Sequence, residues 1–469
     1  KLNASDGAAG DSFGRSVAIE GDTVVVGADR NDDAGDSSGS VYLFQRNQGG
    51  PDQWEQVVKL VAADATPGSQ FGWSVSLSGD TLVVGSFQDD ISGRPDAGSA
   101  YIFERNQPSE NDWGQSRKLI ALDGASDDWF GASVSVNGDL VLIGAPADAD
   151  NGDDSGSAYL FGRNQSGGGQ WGLVRKLLAS DGSADDWFGW SVDIAGGFAA
   201  IGAYRDDGAA VDSGSAYVFD RNEGGADQWG QSARLLAADG EINDLFGFSV
   251  SVDGDNVVVG AYRNDDNGSE SGSAYQFSRN QGGPNNWGQL AKLLANDAAT
   301  GAQFGFSVAL DRNSMAVGAP LASTTATQTG AFYTFRIGSP IEDFRLANFT
   351  VEELADPSKE ATLWGDNADP DMDGQGNFFE FVAGLDPQNT GSQFAFTIGL
   401  VPGQPTQRKI TYGPIVPGRS YVVEFTDALG STPFATLAGG IVTDVADMRC
   451  HTDTSPMGFR VYRVRVSVP

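Results

Sequence analysis

Only one cysteine, Cys450, and one histidine, His451, occur in the 469 residues. A single thiol excludes an intrachain disulfide, although secreted proteins can do without one. A single histidine excludes the His clusters that hold zinc or iron. A Ser-His-Asp arrangement would have to use His451, and no nucleophile elbow accompanies it. The sequence reading places His451 in a polar loop beside Cys450, a neighbour arrangement unsuited to catalysis. Basic residues are also scarce: 29 Lys and Arg stand against 63 Asp and Glu, a net charge of −34. Nucleic acid is therefore excluded as a partner, since phosphate binding needs clustered cations. No run of 18 apolar residues exists, which excludes a helical membrane span. No phosphate-binding glycine loop ending in Lys and Ser or Thr is present. The first residue is Lys1, from which a processed or truncated N-terminus is expected.

What is present is a repeat. Phe13-Gly14 returns as Phe71-Gly72, Phe130-Gly131, Phe188-Gly189, Phe246-Gly247 and Phe304-Gly305, at steps of 58 or 59 residues. A period of this length signals a repeat architecture. Each copy reads as four short apolar pieces, in the fourth copy 188–194, 199–203, 215–219 and 229–236. Each piece is rich in Val, Ile, Tyr or Phe and bounded by Gly, Asp, Asn or Ser, which are strand and turn signals. Gly-Asp pairs at 21–22, 79–80, 138–139 and 254–255 make tight turns between the first two strands. Four antiparallel strands per repeat describe a β-propeller blade. Lys59-Leu60 ends a fourth strand, and Lys1-Leu2 falls in the same register. The expectation is an all-β, six-bladed propeller over residues 1–337 in which the N-terminal strand completes blade six and closes the ring, removing exposed sheet edges.

The alternation of FGxSV with VVVGA, and of Gly144-Ala145-Pro146 and Gly318-Ala319-Pro320, resembles the FG-GAP repeats of integrin α-subunit propellers and bacterial surface proteins. The resemblance covers about 1–337 and implies extracellular adhesion or ligand binding. The family's calcium loop between the first two strands is missing here: the connection is the short turn 19–23. That site is not carried over.

In an up-and-down blade the four-to-one and two-to-three loops share one face. Here both are acidic, with Asp6, Asp64, Asp123, Asp181 and Asp239 in the first set and Asp29, Asp33, Asp89, Asp148, Asp150, Asp206 and Asp266 in the second. One strongly negative face is expected, less so at blade six. Asp beside Gly is also an ordinary turn former. On the other face Arg46, Arg105, Arg163, Arg221 and Arg279 precede Trp54, Trp113, Trp171, Trp229 and Trp287. Two readings are open: the Trp side chains pack between blades while the Arg side chains cap turns, or together they form a recognition ring for sugars or a second subunit.

Beyond the repeat, 338–390 reads as a linker with a short helix at 349–354 capped by Thr350 and Glu353. It then carries Asp369-Pro370-Asp371-Met372-Asp373-Gly374-Gln375-Gly376-Asn377-Phe378-Phe379-Glu380, which satisfies D-x-D-x-D-G-x5-E. Carboxylates at Asp369, Asp371 and Asp373, the Gln375 carbonyl, Asn377 directly or through water, and a bidentate Glu380 give an oxygen set suited to Ca²⁺. Asp366 and Asp386 lie close enough in sequence to extend it. The loop, with Gly384-Leu385-Asp386-Pro387, resembles the calcium segments of dockerin and thrombospondin type 3 repeats, which are structural, extracellular sites. Residues 391–469 alternate as strands at 394–398, 408–412, 421–425 and 460–468 and are expected to form a small β-sandwich.

These readings lead to an expected function. The chain is a secreted or cell-surface, calcium-stabilised propeller, its signal removed, that binds a protein or glycan and has no catalytic activity. The alternatives are a filament or surface-layer subunit, a homo-oligomer stacked head to tail through its acidic and Arg/Trp faces, and a polysaccharide-acting enzyme using paired acids.

Overall fold

The computed structural model describes residues 1–469 apart from 49, 108, 110–111, 166, 282, 284, 312–313, 324–328, 337–344, 346–347, 351–352, 354–356, 366, 418, 428–433, 438–440, 446–447, 455–459 and 468–469. Two compact units are present, Lys1–Ile337 and Gly338–Pro469.

The first unit is a propeller of six antiparallel sheets. Blade 1 is Val17–Glu20, Thr23–Ala28, Ser40–Arg46 and Trp54–Leu60, paired in chain order. Blades 2 to 5 repeat this over 74–119, 133–177, 188–235 and 249–293, and blade 6 has three strands over 307–336. The second and third strands are buried throughout blades 2 to 5 because neighbouring sheets cover both of their faces. Each contact between sheets is an apolar core of its own. Val83, Ala100 and Ile102 of blade 2, for example, meet Phe130, Val134 and Val136 of blade 3.

The repeated motif is the stitching between blades. The Phe-Gly glycines have φ between +91° and +99°, a conformation open to glycine at little cost. Their carbonyls accept a hydrogen bond from the FGxS serine of the preceding blade: Ser16 to Gly72 at 2.7 Å, Ser133 to Gly189 at 2.7 Å, Ser249 to Gly305 at 2.9 Å. The glycine of VVVGA faces the same carbonyl. A Cβ on Gly144 would stand 1.9 Å from the Gly189 oxygen, so no larger residue fits there. Nearer the axis, the first strands are linked by small polar side chains. Ser76 accepts the Val136 amide, Ser135 accepts the Ile194 amide, and Asp193 accepts the Val252 amide and the hydroxyls of Ser135 and Ser251.

The expected closing strand is not formed. Residues 1–12 contain no strand, and Leu2 and Ala4 pack with Phe13 against Val26, Tyr42 and Phe44 of blade 1. This is where the repeat puts their counterparts, since Leu60 and Ala62 pack on Phe71 of the following blade. The segment is thus held by the blade it leads into. Blades 1 and 6 keep unburied apolar residues at the seam: Val17 and Ile19 are each 68% exposed and Phe332 is 74% exposed, whereas Val136 and Ile194 are 5% and 3% exposed.

In the second unit, Ala395–Val401, Gln404–Gly413, Met448–Asp453 and Ile441–Val445 form one sheet, and Ala435–Thr436, Ser420–Thr426 and Val461–Ser467 another. Ile410 and Tyr412 of the first sheet pack with Val423 and Tyr462 of the second, a sandwich core. His451 lies on a strand between Ile410 and Val442, not in a loop, and Cys450 beside it is buried. Half of 349–354 (residues 351, 352 and 354) lies outside the described residues. Thr350 and Glu353 nevertheless make the reciprocal bonds of a capping box, the Thr350 amide reaching the Glu353 carboxylate at 2.9 Å and the Glu353 amide reaching Thr350 Oγ1 at 3.2 Å.

Candidate functional site

Two places gather chemistry, one in each unit. In the second unit, residues 369–380 fold into a tight acidic loop. Gly374 takes φ +92° and lets the chain reverse. Asp369 accepts the amides of Asp373 at 3.1 Å and Gly374 at 2.9 Å, and Asp373 accepts that of Gln375 at 2.8 Å. One ligand oxygen from each of Asp369, Asp371 and Asp373 lies within 4.8 Å of the others. The helix Asn377–Ala383 then carries Glu380, whose side chain is fully buried. Burial pushes its carboxyl up to about 7, and Asp371, Asp373, Asp369 and Asp386 add to the rise.

Four other oxygens of this loop are left without donors. Asp371 Oδ2, Asp373 Oδ2 and both Glu380 oxygens are shielded from solvent and make no hydrogen bond. Buried acceptors normally find partners, and clustered carboxylates repel one another unless a cation intervenes. The donor set therefore fits a hard divalent cation. Two expected ligands have other engagements as well. Asn377 donates to the Leu363 and Gly365 carbonyls at 2.8 and 3.0 Å and keeps only Oδ1 free of hydrogen bonds. The Gln375 side chain accepts the Phe394 amide at 3.1 Å, leaving its main-chain carbonyl for the seventh position. Asp366 lies outside the described residues.

In the propeller, the acidic face is built differently from the sequence expectation of a bare negative rim. A fourth-strand cation in each of blades 1 to 5 reaches into the acids. Lys118 meets Asp64 at 2.6 Å and Asp89 at 2.7 Å. Lys176 meets Asp123, Asp148 and Asp150 at 2.6–2.9 Å. Arg234 meets Asp181 and Asp206, Lys59 meets Asp6 and Asp33, and Lys292 meets Asp239 and Asp266. A buried third-strand tyrosine sits under each cation, as Tyr159 does under Lys176 with its hydroxyl donating to Asp148 at 2.7 Å. Burial alone would lower the Lys176 ammonium, but Asp150, Asp148 and Asp123 outweigh it and hold it above the usual range. The recurring Lys-Leu and Ser-x-Tyr positions carried this signal, and only their pairing in space was illegible in one dimension.

At the axis of the same face lies an aromatic mouth. The residue after each Phe-Gly points there, one per blade: Arg15, Trp73, Ala132, Trp190, Phe248 and Phe306 line a cavity of about 200 Å³. Edge-to-face and tilted ring contacts run from Trp73 through Phe87, Trp129 and Trp187 to Trp190, and on through Phe248 to Tyr262 and Phe306. Trp129 and Trp187 both hold φ +59°. The residue before Phe-Gly has a positive φ in every blade, from +54° at Gln70 to +58° at Leu245 and Gln303 in the others, so this conformation belongs to the repeat and the two Trp residues follow it. Arg15 lies over Trp73, 3.5 Å from the ring centre, and Arg205 over Trp187 at 5.4 Å. Beside Arg15, at the position that is Phe87, Tyr204 or Tyr262 in other blades, stands Asp29. It is 1% exposed and its Oδ1 has no partner; burial raises its carboxyl and Arg15 partly offsets this.

On the opposite face the packing reading holds for four of the five tryptophans, and Trp54 is half-buried. Trp113, Trp171, Trp229 and Trp287 are 1–8% exposed, so they pack in the cores and offer no stacking platform. Arg163 binds Glu104, Asp139 and Thr81, and Arg279 binds Asp220 and Asp255. These are clamps to neighbouring turns and blades.

Against this geometry, comparison with family profiles is decisive. The profile described as FG-GAP repeat matches residues 1–44, 54–103, 113–161, 171–219, 229–277 and 287–335. The chain belongs to the FG-GAP repeat family. A comparison with curated proteins gave no match. Among solved structures, the FG-GAP chain is similar to the periplasmic gluconolactonase PpgL of Pseudomonas aeruginosa, at 13% identity and a TM-score of 0.41, over 69% of this chain and 88% of that one. No helix among the described residues of the FG-GAP chain is long and apolar enough to cross a membrane.

Proposed function

We propose that this FG-GAP chain is a non-catalytic binding protein of the cell surface or extracellular space, stabilised by calcium at 369–380, with its ligand site at the mouth of the propeller. The observation that carries the reading is the mouth itself. Six blades each place one side chain around a single cavity, and half-buried aromatic rings with one guanidinium line it. Exposed aromatic surface of this kind, ringed by polar residues, marks binding sites. Nothing lining the cavity is a nucleophile or a titrating acid–base pair, which supports binding without turnover. The extracellular placement rests on the resemblance of the 369–380 loop to the structural calcium segments of dockerin and thrombospondin type 3 repeats.

In the loop, Asp369, Asp371, Asp373, Glu380 and the Gln375 carbonyl would hold the ion, with Asn377 Oδ1 at the ninth position. The ion would supply charge neutralisation there. The filament reading is weaker, because the arginines it needs for head-to-tail contacts are spent on acids of the same chain. The test is a screen of glycans and extracellular-matrix proteins against the wild type and Trp190→Ala. Loss of the bound partner in the variant, with an unchanged circular dichroism spectrum, is the expected result. Equal binding by both proteins would place the site elsewhere, and conversion of a bound glycan to products would overturn the non-catalytic reading.

A further inference from the structure

We propose that the mouth takes one neutral sugar ring, a hexopyranose at the end of a glycan, packed on Trp190 and hydrogen-bonded by Arg15. The inference rests on the mouth being the binding site and names what it binds. Size is the first argument. A cavity of about 200 Å³ lies below the range that encloses drug-sized ligands and suits a single ring, with the rest of a chain leaving through the open top.

Charge is the second. A cationic ligand would meet like charge at the mouth, where Arg15 lines the cavity over Trp73 and Arg205 and Arg263 lie over the adjoining rings of Trp187, Tyr204 and Tyr262. An anionic ligand must approach a chain of net charge −34 through a rim of aspartates whose Lys and Arg partners are already engaged. A purely apolar ligand would make no use of the Arg15 donors at the cavity wall. A neutral ring with polarised C–H groups on its faces and hydroxyls on its edge meets all three conditions. Its faces match the negative faces of Trp190 and Phe248, and its edge accepts hydrogen bonds from the fixed planar fork of Arg15.

The experiment is calorimetric titration and tryptophan quenching of the full chain with three probe sets. These are oligosaccharides ending in glucose, galactose or mannose; the same ending in a uronic acid; and a quaternary ammonium compound. Binding of a neutral set is expected, with an affinity changing less than twofold between 50 and 500 mM NaCl. Trp190→Ala is expected to weaken it at least 50-fold, Trp190→Phe less than tenfold, and Arg15→Gln about tenfold. Arg15 is exposed, so its variant reports on the site even if Trp190→Ala fails to fold. Binding of only the charged probes, with steep salt dependence and loss in Trp190→Ala, would overturn the sugar assignment and leave the mouth as the binding site. Neutral-sugar binding untouched by both Trp190→Ala and Arg15→Gln would overturn the inference and the mouth together.

Discussion

Glu380 and Asp186 are two buried carboxyls with opposite needs. Glu380 has no donor and stands among Asp369, Asp371 and Asp373, so a cation is the partner it lacks. We expect Ca²⁺ at a hundred times its dissociation constant to stabilise the second unit by about 3 kcal/mol through mass action. Asp371→Ala with Asp373→Ala should lower the melting temperature in Ca²⁺ but not in EDTA, and equal losses in both buffers would remove the loop as a calcium site. Asp186 does have a donor, the Ser183 amide at 2.6 Å. Burial still pushes its carboxyl up to about 6, from an ordinary value near 4. The folded state thus holds this proton more tightly than the unfolded chain. Below about pH 4 the group is neutral in both states and costs nothing. As pH rises from 4 to 6 its ionisation withdraws on the order of 2 kcal/mol. Asp186→Asn, which keeps an acceptor for Ser183, should be more stable than the wild type at pH 7 and equal to it at pH 4 in urea titrations. The D-x-D-x-D-G loop was legible in the sequence because its ligands are neighbours. Asp186 could not be singled out among the acids of these loops, since its burial arises only in the folded blade, where Asp206 lies near it.

At the level of the element, the blade explains why a sequence of such charge folds without many cations. Each fourth strand delivers one Lys or Arg to two or three aspartates drawn from two loops. The environments differ in depth. Around Lys176, the Asp148 side chain is only 6% exposed, whereas the partners of Lys59 are 45% and 55% exposed. Removing one member of a buried pair leaves an uncompensated charge and costs about 3 kcal/mol or more, while an exposed pair is worth about 1 kcal/mol or less. We therefore expect Lys176→Met to destabilise the propeller by about 3 kcal/mol and Lys59→Met by about 1 kcal/mol in chemical unfolding; equal losses would contradict the burial difference. The four-strand pattern itself was readable from alternating apolar pieces and Gly-Asp turns. The cation–acid–tyrosine cluster was not, because each cation stands 26 to 54 residues from its acids and meets them only when the sheet twists into place.

For the whole molecule, the seam between blades 6 and 1 is where the repeat runs out of neighbours. Ile19 and Ile194 hold the same place in their blades, yet one is 68% exposed and the other 3%. Ile194→Ala should cost about 2–4 kcal/mol through its lost packing, and Ile19→Ala less than about 0.5 kcal/mol. Similar losses at both would show that Ile19 is covered in solution. The mouth also belongs to this scale, since no single blade contains it.

The sequence by itself determined the blade, the six copies and the acidic D-x-D-x-D-G loop, because all of these rest on spacing between residues close in the chain. Thr350 with Glu353, and the Lys1-Leu2 register, could be read the same way, but the register predicted a strand that the fold does not make: Leu2 packs instead with Phe13 on the core that contains Tyr42. Only the tertiary structure decided which tryptophans are used. Those at 113, 171, 229 and 287 are consumed by the cores between sheets, and Trp73 and Trp190 surround the axis. The choice depends on which end of a strand faces the centre of the ring, a property of the packing of six sheets about one axis and of no local stretch of sequence.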